Sequence, residues 1–174
     1  KVDAMAERIR LINPGCTVTC IEDFVTAENM ADILLPHFDL VIDAIDQTRV
    51  KAAMIAHCHR QGTPIVVAGA AGGQTDPTQV CISDLSATVQ DPLLAKVRAL
   101  LRREYGFPRD PRKKFGVAAV FSTEPLRYPN VTASCDPTGG PAGLSCAGFG
   151  SSVCVTSVFG MVAAARAIDL LVTR

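Results

Sequence analysis

Residues 39–47 read DLVIDAIDQ, and residues 65–69 read IVVAG. Both begin as short apolar runs of the kind found in strands that are buried on both faces of a parallel sheet. The stretch between them, residues 48–60, has apolar side chains at helical spacing. Strand, helix and strand in this order predict an α/β fold with a parallel sheet and right-handed crossovers.

Further elements are predicted on both sides of these two strands. Upstream, the spacing of apolar residues predicts a helix at 2–12, a strand at 16–22 and a helix at 27–35 that Thr26 caps. Downstream of the Gly-rich segment 69–77 the pattern changes. The predicted strands and helices there are a half-exposed strand at 78–83, a basic helix at 92–105, a strand at 116–121 and an apolar helix at 149–173. A charged loop is predicted at 106–114 and a mobile loop at 129–146. We expect residues 1–84 to belong to a nucleotide-binding domain. Residues 85–174 would form an extension that faces the substrate, with the basic helix and loop at 92–114 and a mixed sheet.

Charge is unevenly distributed along the chain. The net charge is zero, but residues 1–91 carry 6 Lys/Arg against 12 Asp/Glu, and residues 92–114 carry 8 against 2. A basic segment beside an acidic one suits an anionic partner such as a nucleic acid, although a solvated helix face would look the same. The candidate phosphate contacts are Lys96, Arg98, Arg102, Arg103, Arg109, Arg112, Lys113 and Lys114.

The chain has seven cysteines, and no two of them form a CxxC pair. We therefore predict reduced thiols in a cytoplasmic protein and no zinc site. The three histidines, His37, His57 and His59, form no convincing ligand set. Residues 147–165 are apolar enough to resemble a membrane span, but their serines, threonines and glycines favour a buried helix and no membrane partner.

Two carboxylates follow the strand predicted at 39–43. In open parallel sheets, ligands bind beyond the carboxyl ends of the strands, and an aspartate there can hold the magnesium of a nucleoside triphosphate. Asp46 and Asp43 could equally cap the next helix, as strand-to-helix turns often do. Both interpretations remain open from the residues alone.

The segment LVIDAIDQ resembles the DxxDN-type turn of the E1-like adenylating family, with Gln47 in place of the usual Asn. The resemblance implies a Rossmann-like, doubly wound domain that binds ATP and Mg²⁺. It places Ala44 and Asp46 at the nucleotide, with Asp46 near the metal. Lys1 and the following MAERIRLINP resemble the lysine, helix and Asn-Pro turn of the family, which implies that Lys1 contacts the ATP phosphates.

Later segments resemble one branch of that family, the tRNA threonylcarbamoyladenosine dehydratases. These segments are GGQTDPTQV, QDPLLAKVR, KKFGVAAVFSTE and CAGFGSS. The branch implies ATP-dependent cyclisation of N6-threonylcarbamoyladenosine in tRNA through an acyl adenylate. It also implies a homodimer and a link to a sulfur-acceptor or cysteine desulfurase system. Cys146 lies in a branch motif and is a candidate assisting thiol, or otherwise a packed small residue.

The chain departs from the family pattern at its start. The Gly-rich GxGGVGS loop, the aspartate after it and the arginine finger would lie upstream of Lys1, so we expect the first β-α units to be missing and this chain alone to be inactive with ATP. Two other functions stay open: an E1-like adenylyltransferase that activates the C-terminus of a sulfur-carrier or ubiquitin-like protein, and a non-catalytic truncated paralogue.

Overall fold

The computed structural model describes residues 1–34, 38–127 and 150–173. The chain divides into two compact units, Lys1–Ile33 and Leu34–Arg174. The functional division predicted between residues 84 and 85 stays a prediction.

The first unit contains two helices, α1 (Val2–Ile12) and α2 (Met30–Ile33). Helix α1 confirms the prediction for residues 2–12. Thr26 and Asn29 exchange hydrogen bonds, since each backbone N–H donates to the side-chain oxygen of the other residue. This exchange caps a turn, and within the described residues of the helix predicted at 27–35 only the four residues of α2 are α-helical. Leu35 lies outside the described residues.

The strand predicted at residues 16–22 is wrong. The segment is extended and exposed, with only Val18 and Cys20 half-buried, and it pairs with no other strand of the described chain. An alternating pattern makes a stable strand only when a neighbour satisfies its backbone N–H and C=O groups.

The second unit is built on a four-stranded sheet in the order β1-β2-β4-β3. Its strands are β1 (Val41–Asp43), β2 (Ile65–Ala68), β3 (Val80–Asp84) and β4 (Ala118–Ser122). Strands β1, β2 and β4 are parallel to one another, whereas β3 runs antiparallel to β4. The prediction of an α/β fold with a mixed, mostly parallel sheet is therefore confirmed.

The described part of this unit also has three α-helices, α3 (Thr48–Gln61), α4 (Pro92–Glu104) and α5 (Val153–Val172), and two short 3-10 helices at Pro77–Gln79 and Leu85–Ala87. Residues Val66 and Val120 on neighbouring strands pack against α5. Helix α3 contacts β2 and packs on α4. Because side chains alternate across a strand, residues such as Val67 and Ala119 point away from α5 and into the buried core on the opposite face.

Helix α5 buries one stripe and exposes the rest of its surface. Val155, Phe159, Ala163 and Ala167 recur every four residues and are buried. By length and composition alone α5 could cross a membrane, with a mean hydropathy of 1.7, and 22% of that stretch is buried. Core helices pass the same test, so one such helix is weak evidence for a membrane span. The helix predicted at 149–173 is confirmed at Val153–Val172, but the expectation that it is buried holds only for this stripe, because most of its surface is exposed.

Candidate functional site

The turn between β1 and α3 is shaped by a buried ion pair. Asp43 ends β1, and its carboxylate accepts hydrogen bonds from the backbone N–H of Ile45 and from Lys51 Nζ, each at 2.8 Å. The side chains of Asp43 and Lys51 are both fully buried. Burial lowers the pKa of Lys51, and the adjacent Asp43 opposes this shift. Asp43 therefore stabilises the turn from the protein interior, where it is buried and cannot contact a ligand.

Asp46 has a different environment. It is exposed and accepts no hydrogen bond from any of the described residues. Helix α3 begins after Gln47, and no side chain in the described ranges caps it. The capping interpretation of Asp43 and Asp46 is therefore wrong: Asp43 forms a local turn and an ion pair, and Asp46 is available to a ligand.

A second turn follows β2 and lies beside the first. Asp91 is 4% exposed and accepts hydrogen bonds from the N–H groups of Leu94 and Ala70, each at 2.9 Å. It thereby caps α4 and fixes the segment after β2. Burial raises the pKa of Asp91, although these N–H donors and Lys51 oppose the shift. Gly69 allows this arrangement, because a Cβ there would lie 1.9 Å from Asp91 Oδ2.

The Gly-rich segment beyond Gly69 is also held by residues that follow β4 and precede α5. Glu124, just after β4, accepts hydrogen bonds at 2.9 Å from the N–H groups of Thr75 and Asp76. Gly73 bonds to the backbone of Gly150 and of Arg127. These contacts bring the start of α5 to the carboxyl ends of β1 and β2.

A cavity of about 480 Å³ opens where these segments meet. A volume of this size is in the range that holds a small molecule or nucleotide. Its lining includes the predicted residues Ala44 and Asp46, the Gly69–Gly72 segment, and the start of α4 at Pro92 and Leu93. It also includes Leu126, Ser151 and Thr156.

The lining is suited to an anionic ligand that carries a cation. No side chain among the described residues caps α5 at Ser152, so the backbone N–H groups of its first turn lie near the cavity without a side-chain acceptor. Such groups favour phosphate. No group of three His, Cys, Asp or Glu side chains in the described ranges could hold a metal by itself. Mg²⁺ does not need one, because it takes one or two carboxylates together with phosphate and water oxygens, and Asp46 fits that role.

Sequence reasoning missed part of this lining. Gly69 ends the buried strand predicted at 65–69 and Ala70 follows it, so the rule that ligands bind at strand carboxyl ends could have identified them. Ser151 and Thr156 carry no such signal, since long-range contacts, among them the bridge between Gly72 and Ser151, bring them to the cavity.

The other predicted site residues are not in the described lining of this cavity. Lys1 is exposed in the first unit. Cys146 and His37 lie outside the described residues. Burial raises the pKa of the Cys58 thiol to about 11, with Asp43 contributing, so this thiol stays protonated near neutral pH.

The basic side chains predicted to bind phosphate differ in how many of them already have partners within the described residues. Arg102 donates to the carbonyl of Pro108 and lies over the ring of Phe115, so it anchors the loop that follows α4. Arg103 and Arg112 pair with the neighbouring carboxylates of Glu104 and Asp110. Arg98 is half-buried; the remaining members of the set are exposed, namely Lys96, Arg109, Lys113 and Lys114.

Several known proteins are similar to this chain in sequence and in fold. The model of the ThiF family matches residues 1–174. The tRNA threonylcarbamoyladenosine dehydratase of Haemophilus influenzae is 49% identical over all of this chain, and that of Escherichia coli is 46% identical. The chain spans 66% and 67% of their lengths.

A solved structure agrees with these matches. The Escherichia coli tRNA N6-threonylcarbamoyladenosine dehydratase in complex with ATP superposes with a TM-score of 0.84 at 44% identity, over 99% of this chain and 64% of that one. The chain belongs to the ThiF family and, within it, to the tRNA threonylcarbamoyladenosine dehydratases.

Proposed function

We propose that the gene product containing this chain uses ATP to cyclise N6-threonylcarbamoyladenosine in tRNA. The observation that carries the proposal is the placement of Asp46. This carboxylate is exposed, caps no helix and lines a nucleotide-sized cavity at the carboxyl ends of two parallel strands. The relatives whose names specify this activity match the chain over its whole length.

The reaction proceeds in two steps that the cavity can support. A threonyl carboxylate oxygen attacks the α-phosphorus of ATP, and pyrophosphate leaves. The carbamoyl group of the same nucleoside then attacks the activated carbonyl carbon, AMP leaves with the bonding electrons, and a proton is released. The second step is intramolecular, so proximity lowers its barrier and no protein nucleophile is required. Cys146 is thus an assisting thiol at most.

The residues of this chain act by binding and orientation. Asp46 would hold Mg²⁺, and the ion would supply positive charge to the ATP phosphates during adenylation. The backbone at Ala44 and the first turn of α5 contact the nucleotide, and Lys1 contributes a compact positive charge to the phosphates. The domain is Rossmann-like and doubly wound, an assignment that rests on helices packed against both faces of the sheet.

The partners follow from charge and exposed surface. The basic residues of the 92–114 segment bind tRNA phosphates. A homodimer is supported by apolar side chains of α5 that remain exposed, including Val153, Met161, Ile168 and Val172. A cytoplasmic location, the absence of structural zinc and a connection to a cysteine desulfurase system belong to the same proposal.

Stimulation of ATP–pyrophosphate exchange tests this function directly. With the intact gene product, tRNA bearing N6-threonylcarbamoyladenosine should stimulate exchange, and unmodified tRNA should not, because it lacks the carboxylate. Stimulation by a sulfur-carrier protein instead would assign the chain to E1-like activation of a protein C-terminus. No exchange with either substrate would favour a non-catalytic paralogue.

A further inference from the structure

A second cleft lies beside the candidate site. It has a volume of about 420 Å³ and includes Pro92 and Leu126 in its lining, two residues that also line the cavity with Asp46. Its other walls come from the turn before α4, the first two turns of that helix, and Pro125. A substrate longer than a nucleoside could therefore extend from one cleft into the other.

Arg98 is the cationic side chain in the lining of this second cleft. Helix α4 holds it half-buried, two turns after the cap residue Asp91. Its Nη1 donates to the hydroxyl oxygen of Thr88, and that hydroxyl donates in turn to the carbonyl of Leu85 at 3.1 Å. Thr88 is 3% exposed, so the guanidinium is oriented by a buried neutral acceptor.

No carboxylate in the described ranges lies within ion-pair distance of Arg98, unlike Arg103 and Arg112. Burial, together with the neighbouring Arg102, lowers the pKa of Arg98, and Asp91 partly opposes this. Asp91 forms no ion pair with Arg98 in this structure, and its two oxygens accept the N–H groups of Leu94 and Ala70. A half-buried cation that lacks a counter-charge is costly unless an anion completes the site.

We propose that Arg98 binds a backbone phosphate of the RNA substrate, beside the modified nucleotide whose threonyl carboxylate reaches the ATP phosphates in the Asp46 cavity. This inference rests on the proposed function. Guanidinium groups bind phosphate oxygens in a bidentate manner, and Thr88 restricts the orientation of this one. The reacting carboxylate is a poorer candidate for the same contact, since it must reach the nucleotide phosphates in the neighbouring cavity.

The test measures the affinity of the intact gene product for tRNA against salt concentration. Arg98→Gln should weaken binding about tenfold and reduce the log–log salt slope by about 0.7 to 0.9, the value for one phosphate contact. Modified and unmodified tRNA should lose affinity equally, because the contact is to the backbone. Arg98→Lys should keep the slope. Arg60→Gln, an exposed arginine at the end of α3, is the matched control and should change neither quantity.

Several results would overturn the inference. An unchanged salt slope in Arg98→Gln, or a loss confined to modified tRNA, would contradict a phosphate contact; the second result would place the threonyl carboxylate at Arg98. Retention of the thermal shift caused by ATP shows that the variant is folded. If the parent protein does not cyclise its substrate but binds tRNA in an Arg98-dependent way, the proposed function fails and this inference stands. If the parent protein cyclises its substrate and Arg98→Gln binds tRNA with the same affinity and salt slope as the parent protein, only this inference fails.

Discussion

Lys51 is fully buried, and its ammonium group lies 2.8 Å from the carboxylate of Asp43. Removing one member of a buried ion pair leaves the other charge without a partner in a region of low polarity. The pair lies directly below the turn that presents Asp46, so its loss affects both stability and the site.

We expect Lys51→Met to lower the free energy of unfolding by about 3 to 5 kcal/mol. Asp43→Asn should destabilise the Lys51→Met variant much less than it destabilises the parent protein, because it then removes a buried carboxylate that has already lost its partner. Urea unfolding measures both values, with Lys96→Met on the exposed face of α4 as control. A loss below about 1 kcal/mol for Lys51→Met would show that the pair contributes little.

Position 69 requires glycine because the side chain of Asp91 lies very close to its Cα. A Cβ at this position would overlap Asp91 Oδ2 at 1.9 Å. We expect Gly69→Ala to displace Asp91 from its two N–H donors and to destabilise the protein by about 1 to 3 kcal/mol. ATP affinity should fall as well, because Gly69 lines the cavity.

The matched control for this substitution is Gly160→Ala in α5. No atom lies within 4 Å of a Cβ built there, and alanine favours the helix, so a gain of about 0.5 to 1 kcal/mol is expected. Thermal unfolding compares the two variants. Equal stability of Gly69→Ala and the parent would contradict the close packing described above.

Asp84 connects elements at the other end of the sheet. Its carboxylate accepts hydrogen bonds from the N–H groups of Ser86, Phe115 and Gly116 at 2.8 to 2.9 Å, joining the end of β3 to the segment before β4. Burial opposes ionisation, but these hydrogen bonds outweigh it and lower the pKa of Asp84. The stabilisation is therefore fully present above the unfolded-state pKa of about 3.9 and is lost as the pH falls through the lower folded-state pKa.

We expect Asp84→Asn to reduce stability by about 1 kcal/mol at pH 7. The difference from the parent protein should shrink below about pH 4, where the parent carboxylate begins to take up a proton. Denaturant unfolding across this pH range is the measurement, and the exposed Asp39→Asn serves as control. A difference that stays constant down to pH 2 would contradict the role of the ionised carboxylate.

Local patterns predicted most of the elements whose stabilising contacts are local or buried. Helix α4 is an example: Asp91 caps it, Pro92 starts it, and Leu93, Val97 and Leu100 recur at helical spacing. The segment 16–22 failed because pairing depends on a neighbouring strand that no local pattern specifies. In the site, Asp46 was predictable from its position after a buried strand. Thr156 was not, since it reaches the cavity only through long-range packing.

At the scale of the whole molecule, the proposed function assigns the acidic and basic segments to different ligands. Asp46 lies at the carboxyl ends of β1 and β2, where a metal–nucleotide complex would bind. Residues 92–114 begin at the same cavity with Pro92 and continue into the basic helix and loop. In that proposal the first residues of α4 contact the nucleotide, and the rest of the helix and the loop after it bind RNA.

The central claim is that Asp46 supports adenylation in the dehydratase reaction. The most direct measurement is single-turnover cyclisation of N6-threonylcarbamoyladenosine in tRNA by the intact gene product with ATP and Mg²⁺. We expect Asp46→Ala to slow cyclisation by about 10²- to 10³-fold, the usual effect of removing one group that stabilises developing charge. Asp39→Ala should react like the parent, because this exposed carboxylate is absent from the lining of the cavity. A parent protein that cyclises its substrate while Asp46→Ala does so at the same rate would contradict the account.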